Sequence, residues 1–148
     1  HDPHFARLGP EPLEPPLTGE RLAEIARGRA VAAKSFLMDA SRLVGVGNIY
    51  ATEALFRAGI HPGRSVARIS PERWERLAAA VVGVLEAAIR QGGTTLNDFA
   101  DGDGNAGYFQ VALAVYGRAG EPCPRCGTTV RRLVQANRSS FYCPRCQR

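Results

Sequence analysis

The sequence predicts a mainly α-helical domain followed by a small β-hairpin that carries four cysteines. Apolar residues recur at spacings of three and four through four segments, and glycine, proline and cap-forming residues separate those segments. All cysteines lie between residues 123 and 146, after the last helical pattern. With 148 residues, of which 45% are hydrophobic, the chain can bury one moderate core and a small satellite module.

The chain opens with a proline-rich stretch over residues 1–17 that contains five prolines. Proline removes a backbone donor and restricts its neighbour to extended geometry, so this stretch predicts a linker from a preceding N-terminal domain. A first helix follows, with Thr18 as its N-cap and Gly28 closing it. A second helical run covers residues 31–40.

Two longer helices complete the helical part. The third begins at Asn48, a natural N-cap, and ends at Gly59. The fourth is capped by Ser70, carries Pro71 in its first turn and runs to residues 92–93. Its core face is predicted from the spacing of apolar residues to comprise Trp74, Leu77, Ala78, Val81, Leu85, Ala88 and Ile89.

Beyond the fourth helix, residues 92–107 are rich in glycine, aspartate and asparagine, which predicts a long loop. Loops of this length inside a compact domain are uncommon unless they are functional or disordered. Residues 108–118 fit either a strand or a short helix. The spacing of Phe109, Ala112, Leu113 and Tyr116 favours the helix.

Positive charge is concentrated near the C-terminal end. The net charge is +5 and the sequence pI is about 9.4. Residues 118–148 contain seven arginines and a single acid, Glu121. This suits a polyanionic partner such as nucleic acid, although a merely basic tail is the alternative interpretation. No stretch has the roughly 18 apolar residues of a membrane span, and no signal peptide opens the chain, so we expect a cytoplasmic protein with no membrane partner.

The cysteines form the pattern C-x2-C-x16-C-x2-C through Cys123, Cys126, Cys143 and Cys146. Each pair can present two thiolates to one ion, and the intervening residues can form a hairpin whose turn is predicted near residues 136–139. A four-thiolate site is closed to water, so the pattern predicts one structural Zn²⁺. The alternatives are iron with the same ligands or two disulfides, and the ligand set and the expected compartment favour zinc.

The predicted hairpin displays three arginines. Arg131 and Arg132 lie along a strand, and Arg138 lies close to the tip. Guanidinium groups on a rigid support are well matched to phosphate oxygens. Residue types and spacing alone therefore predict a zinc ribbon that binds nucleic acid.

Five stretches of the chain, in order, resemble the formamidopyrimidine-DNA glycosylases and their endonuclease VIII relatives. These are LGPEPL, KSFLMDASRLVGVGNIYATEALFRAGIHP, GGTTLNDF with DGDGNAGYF, VYGRAGEPCPRCG and NRSSFYCPRCQ. The resemblance runs from residue 8 to residue 148. It implies a helix-two-turns-helix DNA-binding domain over residues 18–117 and a zinc finger over residues 118–148.

The resemblance implies that the parent enzyme binds double-stranded DNA containing oxidised bases or abasic sites. It would excise oxidised purines, chiefly 8-oxoguanine and formamidopyrimidines, and then cut the abasic strand. In the family the base is flipped from the duplex, and an N-terminal proline assisted by a glutamate attacks the sugar to give a Schiff base. Pro10 and Pro12 are internal and their nitrogens are acylated. We therefore expect no catalytic residue in this chain and no activity from it alone.

The resemblance also assigns DNA contacts. Asn48 would grip the backbone beside the lesion, at a helix N-terminus that Gly47 allows the chain to reach. Lys34 matches a lysine that faces the DNA. Arg138 matches the hairpin arginine that contacts phosphates flanking the flipped nucleotide, with Arg132 assisting. The alternatives are an N-cap role for Asn48 and solvated charges for Lys34 and Arg132.

The predicted loop over residues 92–107 contains the segment that, by resemblance, closes over the extruded base. That segment is Thr95, Leu96, Asn97, Asp98 and Phe99. The acidic Asp98 leaves the preferred lesion open, since endonuclease VIII relatives prefer pyrimidines. Ala40 replaces the longer polar side chain of many members, which weakens that one contact.

Two other classes of function compete with this hypothesis. A stand-alone, non-catalytic DNA-binding module would keep Asn48, Arg138 and the zinc but never carry a catalytic amine. A purely structural domain would keep its core and zinc while tolerating the loss of Asn48 or Arg138. The resemblance further implies a monomer in the bacterial cytoplasm, associated with the nucleoid.

Overall fold

The computed structural model describes residues 17–39, 47–92 and 113–148. Within these ranges it contains four helices: α1 (Gly19–Ala26), α2 (Ala33–Asp39), α3 (Asn48–Ala58) and α4 (Pro71–Gly92), with a short 3-10 turn at Val66–Arg68. The strands β1 (Arg131–Gln135) and β2 (Arg138–Tyr142) pair as an antiparallel hairpin. The predicted fold class is confirmed. None of the described helices is long and apolar enough to cross a membrane.

Local sequence signals set most helix ends. The Thr18 hydroxyl accepts a hydrogen bond from the Arg21 N–H at 3.1 Å, and the Ser70 hydroxyl accepts one from the Arg73 N–H at 3.3 Å. Each hydroxyl satisfies one of the N–H groups that a helix start leaves without a partner. Gly59 ends α3 in the left-handed region, at φ 74°, where glycine is favoured.

The helical core forms where α1 and α3 pack against α4. The ring of Trp74 on α4 meets Phe36 of α2 edge-on, with 5.6 Å between ring centroids. A Cβ at Gly19 would collide with the backbone of Trp74 and Glu75, so only glycine allows α1 to lie this close to α4. This packing holds α3 rigidly, and α3 carries the site described below.

The predicted core face of α4 is correct except at its last residue. Val81, Leu85 and Ala88 are buried, whereas Ile89 is 43% exposed. At about 100° per residue, position 89 lies roughly 80° from the centre of the buried stripe. Its spacing of four from Leu85 fitted the pattern, but its position on the helix places it at the edge of the packed face.

The hairpin module has its own small core and packs against α3. Phe56 of α3 is buried with Val115, Val130 and Phe141, together with two of the cysteines. The ring of Tyr116 meets that of Phe141 edge-on at 4.9 Å. The large aromatic surfaces make this the main contact between the helical part and the hairpin.

The hairpin turn is tighter than predicted. Only Ala136 and Asn137 lie in it, with φ 49° and 65°, because Arg138 and Ser139 already pair with residues of β1. Positive φ at both central residues is the signature of the two-residue turn that matches strand twist. Arg138 therefore begins β2 directly beside the tip, and the prediction that Arg131 and Arg132 lie along a strand is confirmed.

The helix favoured for residues 108–118 is wrong for its described part. Residues 113–118 form neither helix nor strand. Three backbone N–H groups there are bonded to the carboxylate of Glu53 rather than to carbonyls four residues earlier. The proposed lesion-loop residues 95–99, Ala40 and the prolines at 10 and 12 lie outside the described residues.

Candidate nucleic-acid interface and metal centre

The four predicted metal ligands come together at the base of the hairpin. Their Sγ atoms all lie within 4.8 Å of one another, with 3.9 Å between Cys123 and Cys146 and 3.5 Å between Cys126 and Cys143. A tetrahedron of Zn–S bonds about 2.3 Å long has edges of about 3.8 Å, so the donor set fits one Zn²⁺. All four cysteines are free, and the sulfur–sulfur distances fit metal ligands rather than the two disulfides of the alternative interpretation.

Hydrogen bonds surround the sulfur atoms. The backbone N–H of Arg125 donates to Cys123 Sγ at 3.3 Å, and that of Cys146 donates to Cys143 Sγ at 3.4 Å. Hydrogen bonding with Thr128 lowers the pKa of Cys126 to about 6. In contrast, burial raises the pKa of Cys146 to about 12. A bound cation favours the ionised form of the thiols that coordinate it.

Removal of the metal is expected to unfold the hairpin module and leave the helices folded. The hairpin core is small, so the metal supplies much of its stability, whereas the helical core contains no cysteine. Metal analysis should give one zinc per chain. After chelation, amide exchange should accelerate in residues 120–148 and change little in α4. Iron in place of zinc, or an unchanged hairpin after metal loss, would contradict this account.

Glu53 fixes the segment of chain that leads into residues 118–148, which we call the zinc module. This buried carboxylate accepts the N–H groups of Ala114, Val115 and Tyr116 at 2.8, 3.0 and 2.8 Å. Charge-assisted bonds of this kind are the strong ones, and three converge on one side chain. They place the Tyr116 side chain beside the N-terminus of α3.

Gln147 fixes the other end of the module. Its Oε1 accepts the N–H of Cys143 at 2.8 Å, and its Nε2 donates to the carbonyl of Ile60 at 2.9 Å. The N–H of Arg148 also donates to the carbonyl of Gly59 at 3.1 Å. The zinc module is thus tied to both ends of α3, which sets where the hairpin tip lies.

Asn48 is not the N-cap that the sequence predicts. It is the first residue of α3, and Gly47 is the N-cap, with φ −91° and no side-chain cap bond. The Asn48 side chain instead reaches across to the zinc module. Its Nδ2 donates to Tyr116 Oη and to the carbonyl of Ser139, each at 3.3 Å, while its buried Oδ1 has no partner in the described structure. Asn48 therefore links the helix N-terminus to the hairpin.

Lys34 is buried rather than a solvated surface charge, with 2% of its surface exposed. Its Nζ donates to Ser140 Oγ at 2.7 Å, and Ser140 Oγ donates to Gln135 Oε1 at 2.7 Å. Burial, and secondarily the charge of Arg138, lowers the pKa of Lys34 to about 8. No carboxylate neutralises this ammonium within 4 Å in the described ranges.

A cavity of about 360 Å³ opens between α2, the start of α3 and the hairpin turn. Its lining residues are Lys34, Ser35, Met38, Asp39, Gly47, Gln135, Ala136 and Arg138. Two cations and a helix N-terminus therefore border one space, and this donor set is chemically suited to a phosphate. The single carboxylate of the lining, Asp39, is paired with Arg29 at 3.1 Å. We call this cavity the phosphate seat.

The structure brings most of the predicted DNA-contact residues together. Lys34, Gly47 and Arg138 line the phosphate seat, and Asn48 follows Gly47 directly. Arg132 does not line it. Its Nε donates to Ser139 Oγ at 3.0 Å on the exposed face of the hairpin.

Sequence reasoning missed the residues that connect these contacts. Tyr116, held by Glu53, is hydrogen-bonded to Asn48. Ser140, which is bonded to Gln135, is hydrogen-bonded to Lys34. Glu53 carried a usable signal. Residues 49–56 are otherwise apolar apart from Thr52, and a charged residue in such a stretch is unusual. Gln135 and Ser140 lie in segments that gave no periodic signal, and the spacing of Tyr116 predicted a helix rather than a contact with Asn48.

Family models cover most of the chain. The model described as "Formamidopyrimidine-DNA glycosylase H2TH domain" matches residues 8–100. The chain belongs to the formamidopyrimidine-DNA glycosylase family. A second model, "Zinc finger found in FPG and IleRS", matches residues 120–148, which include all four metal ligands. The resemblance inferred from the motifs is confirmed, and the zinc site is that of a glycosylase-type zinc finger.

Similar proteins include a formamidopyrimidine-DNA glycosylase of Alkalilimnicola ehrlichii, 57% identical over 142 residues. That match covers 96% of this chain and 51% of the relative. The MutM (Fpg) crystal structure from Thermus thermophilus has a TM-score of 0.79 at 44% identity and covers 98% of this chain and 55% of its own. The structure of a Lactococcus lactis Fpg bound to DNA with an AP site has a TM-score of 0.81 at 32% identity. That match covers 99% of this chain and 53% of the Lactococcus lactis chain. The chain thus spans about half the length of these relatives.

Proposed function

We propose that this chain is the DNA-binding and lesion-recognition half of a base-excision-repair glycosylase and abasic-site lyase. The parent enzyme would act on oxidised purines in double-stranded DNA by base flipping and Schiff-base chemistry. The observation that carries the proposal is the phosphate seat, where the buried Lys34, Arg138 and the N-terminus of α3 border one cavity. Solved relatives hold DNA with an abasic site or with FAPY-dG, which supports the same substrate class.

In this proposal the residues have separate roles in DNA binding. Lys34 and Arg138 neutralise a backbone phosphate beside the flipped nucleotide, and the N-terminus of α3 faces its oxygens. Asn48 and Tyr116 hold the hairpin against that phosphate. Residues 92–107, with 95–99 at their centre, would close over the extruded base. Residues 1–17 would link to the catalytic half, and residues 18–117 and 118–148 would form the two DNA-binding domains.

Bound Zn²⁺ supplies stability to this arrangement and no chemistry on the substrate. The Cys123, Cys126, Cys143 and Cys146 thiolates would hold it at the base of the hairpin, remote from the turn. Its role is to keep Arg138 and Ser140 in register with Lys34.

Arg138→Ala and Asn48→Ala are each expected to weaken DNA binding about equally for all sequences, because phosphates carry no sequence information. Arg138→Ala should also lower the slope of log K against log salt by about one, since one fewer counterion is released. Asn48→Ala should leave that slope unchanged, which makes it the matched control. Titrations of an abasic duplex at several salt concentrations measure both. An unaltered slope for Arg138→Ala would argue against direct phosphate contact.

The isolated chain is expected to form no covalent adduct with abasic DNA. Schiff-base formation needs a neutral amine positioned at the sugar C1′. With a pKa of about 8, roughly a tenth of Lys34 is neutral at pH 7, but its Nζ is buried against Ser140. Borohydride trapping on an abasic duplex, beside a full-length relative, provides the measurement. Efficient trapping that is lost in Lys34→Arg would place a catalytic amine in this chain after all.

A further inference from the structure

Lys34 belongs to a closed ring of hydrogen bonds between α2, the hairpin and the segment that follows α3. Its Nζ donates to Ser140 Oγ at 2.7 Å, and Ser140 Oγ donates to Gln135 Oε1 at 2.7 Å. Gln135 Nε2 donates to the carbonyl of Pro62 at 3.2 Å. The backbone N–H of Lys34 donates to the same carbonyl at 3.0 Å, which closes the ring.

The direction of each side-chain bond in this ring is dictated by the chemistry of its two ends. An ammonium can only donate, so Ser140 Oγ accepts from Lys34 and gives its own proton to Gln135. A carbonyl can only accept, so Gln135 turns its NH2 group to Pro62 and its oxygen to Ser140. Both side chains are therefore fixed in orientation, and neither carries a charge.

The hairpin brings this ring to the phosphate seat. Gln135 and Arg138 are partners across the two strands, and Ser140 lies two residues further along β2. The period of two places these three side chains on one face of the hairpin. Gln135 and Arg138 line the seat together with Lys34, whereas Asn137 in the turn is exposed and is not among the lining residues.

The ring orients the ammonium of Lys34 but does not neutralise it. One of its three protons goes to Ser140 and no other described residue accepts one, although only 2% of the residue is exposed. Arg138 is a second cation at the same seat, and Asp39, the one carboxylate of the lining, is already paired. His61 lies beside the shared carbonyl, and burial lowers its pKa, so it is uncharged above pH 7.

We propose that Gln135 and Ser140 are positioning residues that orient the Lys34 ammonium toward the seat and leave its charge for a DNA phosphate. A glutamate in place of Gln135 would bring a carboxylate oxygen within about 5.4 Å of Nζ, close enough to act as the counter-ion. If the ring served stability alone, a carboxylate would suit it better, because a buried charge without a partner costs free energy. The uncharged amide leaves the role of counter-ion to the ligand. This proposal rests on the proposed function, since it takes that ligand to be the DNA backbone.

The chain contains one lysine, so the Cε resonance of protein labelled with ¹³C-lysine reports the titration of Lys34 alone. In the zinc-loaded chain the midpoint should lie at about pH 8, because burial and then the charge of Arg138 lower the pKa of Lys34. Gln135→Glu should raise this midpoint by about one pH unit, and Ser140→Ala should lower it. Gln135→Met also loses the bond to Pro62 but adds no charge, and should not raise it.

Binding of an abasic duplex at pH 7 is measured on the same proteins. Gln135→Glu should weaken it roughly tenfold, because the new carboxylate competes with the phosphate for the ammonium. Asn137→Asp makes the same change in net charge at the exposed turn, outside the ring, and should weaken binding less than about threefold. Saturating duplex should raise the Lys34 midpoint in the unmodified chain and raise it less in Gln135→Glu.

The outcomes separate the proposal from the function on which it rests. If neither Gln135→Glu nor Ser140→Ala moves the Lys34 midpoint, the ring braces the hairpin without controlling the ammonium, and the proposal is overturned. Equal weakening of duplex binding by Gln135→Glu and Asn137→Asp would show a general charge effect and overturn it as well. If the unmodified chain fails to bind the duplex, the proposed function is contradicted, while the lysine titration still decides whether Gln135 and Ser140 control Lys34.

Discussion

Glu53→Ala is expected to lower the free energy of unfolding by about 4 kcal/mol, since it leaves three N–H groups with no acceptor at the buried junction of α3 and the zinc module. It should also weaken DNA binding, because Tyr116 is then no longer held beside Asn48. Urea unfolding followed by the fluorescence of Trp74, the only tryptophan, reports on the helical core. Amide exchange in residues 113–148 reports on docking of the zinc module.

Two variants make this prediction specific. Glu53→Gln keeps one acceptor oxygen, so it should lose about half as much stability. Glu24→Ala removes an exposed carboxylate that lies 3.8 Å from Arg21, and should change stability by less than about 0.5 kcal/mol. If Glu53→Ala behaves like Glu24→Ala, the three bonds do not fasten the module to α3.

Lys34→Met is expected to stabilise the DNA-free chain at pH 7 by about 2 kcal/mol while weakening DNA binding at least tenfold. The lysine pKa falls from 10.5 to about 8 on folding, so burial of the charged form costs up to about 3 kcal/mol. Loss of the hydrogen bond to Ser140 destabilises the variant by about 1 kcal/mol and so offsets part of this effect. Removing a phosphate contact accounts for the weaker binding.

The pH dependence distinguishes this explanation from better packing. Below pH 8 Lys34 is protonated in both the folded and the unfolded chain, so the full cost of burying its charge is present. Between pH 8 and 10.5 only the unfolded chain holds it, so the stability of the unmodified chain should rise through that window. The advantage of Lys34→Met should therefore vanish by about pH 10.5. Arg27→Met removes an exposed charge and is the control. A constant advantage at all pH values would contradict a buried charge.

The parts of the fold that the sequence predicted are those governed by neighbouring residues. Thr18, Ser70 and Gly59 act within one turn of the chain, and the core face of α4 follows from helical spacing. The cysteine spacing likewise limited the ligands to one arrangement. The prediction that Ile89 is buried was wrong because periodicity defines an apolar stripe on the helix and does not say how much of its width is packed.

The connections within the site could not be read from the sequence, because they join distant residues. Lys34 and Ser140 are 106 positions apart, and Asn48 and Tyr116 are 68 apart. Whether Lys34 is solvated or buried depends on where the hairpin docks, and Glu53 and Gln147 decide that. Asn48 resembled a cap because its residue type suits one, yet Gly47 took that position and freed the side chain for a tertiary contact.

The most direct test of the phosphate seat is a cycle that combines Arg138→Ala with abasic duplexes in which one backbone phosphate at a time is an uncharged methylphosphonate. We expect a single phosphate beside the abasic site whose neutralisation weakens binding of the unmodified chain more than it weakens binding of Arg138→Ala, because the variant has already lost one of the contacts to that phosphate. Equal losses for both proteins at every phosphate position would show that Arg138 contacts none of them, and would contradict the phosphate seat as the basis of DNA binding.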